Sequence, residues 1–166
     1  MKKTLSLLLS LVLMLSLALP ASAAETEYPT LEGGVTEIQK YGNIVLDIDP
    51  ADLKDGGYTY GDLLTVTVNG TGYDMPLCTN YSDVDTGALV LRDSEGVLIA
   101  AINMGDFATS NGLAAKVTAE DGSYTWEFPE GQSLESITVS ISMKEQGQYY
   151  DQYLIHQLTR TDERAD

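Results

Sequence analysis

The sequence predicts an all-β domain, a small barrel or sandwich carrying one short helix. Short β-branched runs recur along the chain, Gly- and Asp-rich turns separate them, and one segment has helical character. The 166 residues suit one domain, two at most. Apolar residues at 43% and charged residues at 20% do not suggest disorder, although much of the apolar share sits in the first 23 residues.

The elements follow in order. Residues 24–33 are a polar tether with Pro29 and a Gly33-Gly34 break. Residues 35–38 form a short strand, and Gly42 separates it from a second at 43–48. Pro50 and the Asp55-Gly56-Gly57 cluster predict a loop. Residues 64–68 alternate with period two and are β-branched, which predicts a strand. Asn69-Gly70 is a type I′ hairpin signal, so 71–77 returns as the partner strand. Residues 89–91 lead into a tight turn at 93–96. The unbroken apolar run 97–102 predicts a buried central strand. Phe107, Ala108 and Leu113 place the helix within 105–113. Residues 116–118, 124–128 and 137–143 are three further strands, the first two joined at Asp121-Gly122. In 149–158, Tyr149, Tyr153, Leu154 and Leu158 suit a helix face, while Tyr153, Ile155 and Gln157 suit a strand face. The reading here is strand. The tail 159–166 is charged and has no apolar anchors.

The N-terminus reads as a secretory signal peptide over 1–23, which places the mature chain outside the cytoplasm. Lys2 and Lys3 form a basic n-region, 4–19 is Leu-rich, and Ala21-Ser22-Ala23 has the form of a cleavage site. The apolar run is shorter than the roughly 20 residues that span a bilayer, so no membrane association is expected after cleavage. The formal charge of −16 argues against nucleic acid and anionic lipid as partners, because both repel a polyanion. One Cys and one His exclude a disulfide framework and a zinc site built from Cys and His alone.

The common catalytic patterns fail. There is no G-x-S-x-G elbow and no P-loop. Gly70-Thr71-Gly72 reads as a hairpin turn, not as part of a dinucleotide fingerprint. The pairs Asp47 with Asp49, Asp83 with Asp85 and Asp93 with Glu95 could bind Ca²⁺ in principle, but solubility and turn chemistry account for them better. Cys78 reads as a buried small apolar residue and His156 as a structural histidine. The cluster Tyr149, Tyr150 and Tyr153 offers rings that pack with their hydroxyls in water.

Four ordered motifs carry a family resemblance. They are the segment from Gly34-Val35 through Tyr41-Gly42-Asn43-Ile44, then Tyr60-Gly61-Asp62, then Tyr81-Ser82-Asp83-Val84-Asp85-Thr86-Gly87. The last runs from Asp93-Ser94-Glu95-Gly96 to Asn103-Met104-Gly105-Asp106-Phe107-Ala108. Together they resemble the C-terminal β-barrel domain of the S-adenosylmethionine (SAM) hydroxide adenosyltransferase family, which includes SAM-dependent chlorinases and fluorinases. The resemblance implies a mainly antiparallel barrel of about seven strands over 34–143, followed by a C-terminal extension over 144–166. It also implies an adenosyl-binding face made of Tyr41, Gly42, Asn43, Asn103 and Met104, with Tyr41 as a candidate stacking ring. Ser94 would hold the amino-acid end, although Glu95 beside it would repel a carboxylate. SAM or adenosine is then the expected ligand, with no resident cofactor, no metal and no catalytic residue.

Only the tether precedes Gly34, so the family's N-terminal catalytic domain is not expected in this sequence, and turnover by the chain alone is not expected either. The extension resembles the segment that joins such a barrel to a tyrosine-phosphatase-like domain in some exported bacterial proteins. The Cys-x5-Arg loop of those enzymes is missing, because Val84 stands six positions after Cys78. Three functions stay open: an accessory domain binding a nucleoside-type molecule, an enzyme subunit completed by a partner protein, and a surface module that binds protein only.

Overall fold

The computed structural model describes residues 27–163. The signal peptide expected at 1–23 and the first tether residues lie outside that range. Nine strands occur among the described residues: β1 Leu31–Ile38, β2 Ile44–Leu46, β3 Leu63–Val68, β4 Thr71–Cys78, β5 Leu89–Ser94, β6 Val97–Ile102, β7 Ala115–Thr118, β8 Tyr124–Glu127 and β9 Thr138–Glu145. Seven of them close a barrel in the order β1-β2-β6-β5-β4-β3-β9, and β7 and β8 form a separate hairpin. This is the small all-β barrel that the sequence predicts.

The barrel is mixed. All pairs are antiparallel except β4 with β5, where Leu77 faces Leu91 and Cys78 faces Arg92. A two-residue hairpin can join only antiparallel strands, and a parallel pair needs a crossover. Residues 79–88 supply it, with a 3-10 turn at Tyr81–Asp83. Asn69 and Gly70 both have positive φ, 47° and 82°, as a type I′ turn requires between β3 and β4.

Alternation decides which side chains enter the barrel. Leu64, Val66 and Val68 of β3 are buried in the main core, with Thr65 and Thr67 between them only partly covered. On β6 both faces are covered, as the unbroken apolar run predicts. Leu98 and Ala100 join the main core, while Ala101 joins a second cluster with Cys78, Val84 and Val90 under the crossover. Burying a Leu or Val side chain is worth about 1.5–3 kcal/mol, so these two clusters supply most of the favourable term.

Several expectations need correction. Gly33 and Gly34 do not break the chain. They lie in β1 and pair with Val139 and Thr138 of β9. A Cβ at Gly33 would stand 2.3 Å from the Asp47 carbonyl oxygen, so the glycine is there for close backbone approach. There are three α-helices among the described residues, not one: α1 Pro50–Asp55, α2 Phe107–Ser110 and α3 Tyr150–Glu163. The loop expected after Pro50 forms α1 because Asp49 caps it, accepting from the Ala51 amide at 2.8 Å, with proline at the first helical position.

The strand expected at 149–158 is helical from Tyr150 onward, as part of α3. The closed barrel leaves no free edge for another strand, so this segment satisfies its backbone groups internally. The charged tail is anchored after all, by an ion pair between Arg160 and the buried Asp83. Leu154, Ile155 and Leu158 of α3 remain exposed. No helix among the described residues is long and apolar enough to cross a membrane.

Candidate functional site

The tight turn between β1 and β2 begins the site. The Gln39 amide donates to the Asn43 carbonyl and the Gly42 amide to the Gln39 carbonyl, both at 2.8 Å. Gly42 has φ +84°, and a Cβ there would stand 1.9 Å from Asp106 Oδ1. Only glycine lets the turn lie against the loop that follows β6. That loop ends at Asp106, which caps α2 by accepting from the Thr109 amide at 2.8 Å and the Thr109 hydroxyl at 2.9 Å. The Ala108 amide then donates to the Gly42 carbonyl at 2.9 Å and ties the two loops together.

Between them opens a cleft of about 930 Å³. The β1–β2 turn contributes Lys40, Tyr41 and Asn43, and the loop after β6 contributes Asn103, Met104 and Asp106. The crossover supplies Asn80, Tyr81 and Ser82. Arg92 reaches in from β5, and Lys116 from β7. The volume lies in the range usual for small-molecule sites.

Of the six residues singled out from sequence, Tyr41, Asn43, Asn103 and Met104 line this cleft, and Gly42 shapes its wall. Ser94 is not among the lining residues. It ends β5 opposite Val97, beside the Glu95-Gly96 turn, whereas Leu89 at the other end of β5 pairs with Ile102 at the cleft. Arg92, two residues before Ser94 on the same strand, does line the cleft.

Tyr41 and Met104 are 70% and 87% exposed, and Met104 holds φ +60°. Two large apolar side chains thus stand at the mouth with water on them. The two amides are partly committed to the protein. Asn43 Nδ2 donates to the Tyr81 hydroxyl at 3.2 Å, and Asn103 Nδ2 donates to the Val84 carbonyl at 2.9 Å. Asn103 therefore holds the crossover as well as facing the cleft. Among the described residues each amide oxygen lacks a side-chain donor, which leaves two acceptors for an amino group of a ligand.

The sequence reading missed the basic groups. Arg92 donates from Nε to the Thr79 carbonyl at 3.1 Å and stacks 4.7 Å from the Tyr81 ring centroid. Lys116 donates to the Lys40 carbonyl at 2.5 Å and lies 4.6 Å from the Tyr124 ring and 6.0 Å from the Trp126 ring. It pins the β7–β8 hairpin to the rim of the cleft. No spacing signal links positions 40, 92 and 116, so only the fold could bring them together.

The neighbourhood offers no nucleophile from Cys78. The thiol is 1% exposed, and burial first, then the charge of Asp83, pushes its pKa up to about 12, with Arg160 acting in the opposite sense. His156 sits half-buried on α3 and does not line the cleft. No cluster of three or more metal-ligating side chains occurs among the described residues.

A solved structure described as an uncharacterized conserved protein from Thermotoga maritima shares this fold. It is 20% identical, with a TM-score of 0.50 over 68% of this chain, and the chain spans about a third of that structure's length, 35%. No curated protein matches. The family model described as the SAM hydroxide adenosyltransferase C-terminal domain matches residues 33–119. Every residue lining the cleft, from Lys40 to Lys116, falls inside that match. The chain therefore belongs to the SAM hydroxide adenosyltransferase C-terminal domain family.

Proposed function

We propose that this protein is an exported, non-catalytic accessory domain whose cleft binds a nucleoside-type small molecule. The observation that carries the reading is the convergence of Tyr41, Asn43, Asn103 and Met104 on one cleft from two loops. A flat base laid against Tyr41 and Met104 would take their apolar surface out of water, and the Asn43 and Asn103 amide oxygens would accept from its exocyclic amine. Family membership supports the same face as the adenosyl face. The N-terminal sequence of residues 1–23 supports export.

Calorimetric titration of the purified protein with adenosine and with SAM tests the reading. Saturable binding is expected, weakened about tenfold or more in Tyr41→Ala, since stacking on an aromatic ring is worth about 1–3 kcal/mol per base. Asn43→Ala should weaken it as well, while Ile155→Ala on the outer face of α3 should not. Silence with both ligands at millimolar concentration would sink the proposal.

A further inference from the structure

We infer that the ligand of this cleft carries a phosphate, so that it takes a nucleotide anion and not a nucleoside bearing a sulfonium charge. The inference rests on the nucleoside reading above and names the group that the base would bring with it. Its ground is the distribution of positive charge. Six cationic side chains lie among the described residues whose surroundings are defined: Lys40, Lys54, Arg92, Lys116, Lys144 and Arg160. The three outside the cleft are all paired. Lys54 sits 3.3 Å from Asp93, Lys144 sits 3.4 Å from Asp74, and Arg160 pairs with Asp83.

The three that line the cleft have no carboxylate partner within ion-pair distance among the described residues. In a chain with 25 acidic and 9 basic side chains this is the reverse of what chance contact would produce. Like charges held in one concavity repel one another, and the cost grows where protein walls replace water. They are held there by neutral groups: Lys116 by the Lys40 carbonyl, Arg92 by the Thr79 carbonyl and the Tyr81 ring, and Lys40 beside the Tyr41 ring. Arg92 spends only Nε in this way, and both terminal nitrogens remain for a two-pronged contact with an oxyanion.

One carboxylate, Asp106, also lines the cleft, but both its oxygens accept from Thr109. A sulfonium would add a fourth positive charge to the three, whereas a phosphate, with a charge of up to about −2, would offset most of them.

The test is titration of the purified protein with adenosine, adenosine 5′-phosphate, inorganic pyrophosphate and SAM, followed by calorimetry and by fluorescence of Trp126, the single tryptophan, whose ring lies beside Lys116. Adenosine 5′-phosphate should bind at least about tenfold tighter than adenosine, the effect expected of charge-assisted hydrogen bonds. Arg92→Gln and Lys116→Gln should each remove most of that advantage, weakening the 5′-phosphate far more than adenosine. Arg92→Lys, which keeps the charge, should retain part of it and guards against a folding defect. Lys54→Gln should change nothing.

Equal affinity for adenosine and its 5′-phosphate, indifferent to the Arg92 and Lys116 variants, would overturn the inference and leave the nucleoside reading standing. SAM binding as tightly as the nucleotide would overturn it too. Pyrophosphate binding with no adenosine binding would uphold the anion site and remove the nucleoside reading.

Discussion

Asp83 is fully buried, and its carboxylate is the point where the crossover and α3 meet. Its Oδ2 accepts from the Thr79 and Asn80 amides at 3.2 and 3.0 Å and from Gln157 Nε2 at 3.4 Å, while Oδ1 takes the Arg160 guanidinium. Removing the charge while keeping the shape leaves Arg160 half-buried opposite a neutral amide. Asp83→Asn should therefore cost about 3 kcal/mol, the lower end for a broken buried pair, read as a lower urea midpoint with unchanged slope. Because Asn80, Tyr81 and Ser82 line the cleft, the same variant should also weaken ligand binding. Cys78 lies under the same crossover. With its pKa pushed up to about 12 by burial, the thiol should not react with a thiol-specific disulfide reagent at pH 8 until the protein is unfolded. Fast labelling of the native protein would show that the crossover opens.

Helix α3 depends on a glycine outside itself. The Tyr149 amide donates to the Gly61 carbonyl at 2.7 Å, and the Gly147 amide to Asp62 Oδ1 at 2.7 Å, so the turn before β3 carries the start of the helix. Gly61 has φ +93°, and a Cβ on it would stand 2.5 Å from the Tyr150 Cα. Gly61→Val has neither the conformation nor the space, and should release α3 while the barrel persists. The expected result is a loss of helical circular dichroism, with the strand signal retained and Cys78 newly reactive. The two-stranded β7–β8 sheet depends on Lys116 in a similar way. Isolated hairpins are marginal in water, and this one is held by stacking on Tyr124 and Trp126 and by the bond to the Lys40 carbonyl.

Over the molecule as a whole, stability should fall at alkaline pH. Tyr60 is half-buried and donates to Asp93 at 2.7 Å. Burial first and that bond second push its pKa up to about 12 from the ordinary 10.0. The folded state thus keeps a proton that the unfolded chain releases. The contribution is complete below about pH 10 and is lost as pH rises through about 12. Tyr58 is displaced in the same direction, chiefly by burial. Urea midpoints measured from pH 8 to 12 should decline, and Tyr60→Phe should flatten the slope between about 10 and 12. An unchanged slope would mean that the Tyr60–Asp93 bond does not distinguish the folded from the unfolded state.

Sequence by itself determined the features that arise over a few neighbouring residues. Period-two alternation in 64–68 assigned the inner and outer faces of β3, Asn69-Gly70 set its hairpin, and the unbroken run in 97–102 marked a strand covered on both sides. The family resemblance named Tyr41, Asn43, Asn103 and Met104, and all four line one cleft. Tertiary structure decided the rest, because the competing local states were close in energy or the partners were far apart in the chain. Residues 149–158 had faces for both strand and helix, and barrel closure removed the edge that a strand would have needed. The tail looked unanchored because the carboxylate that holds Arg160 stands 77 residues earlier. Lys40, Arg92 and Lys116 carry no mutual signal in the chain. They share a cleft only because the fold brings the β1–β2 turn, β5 and the β7–β8 hairpin to its walls.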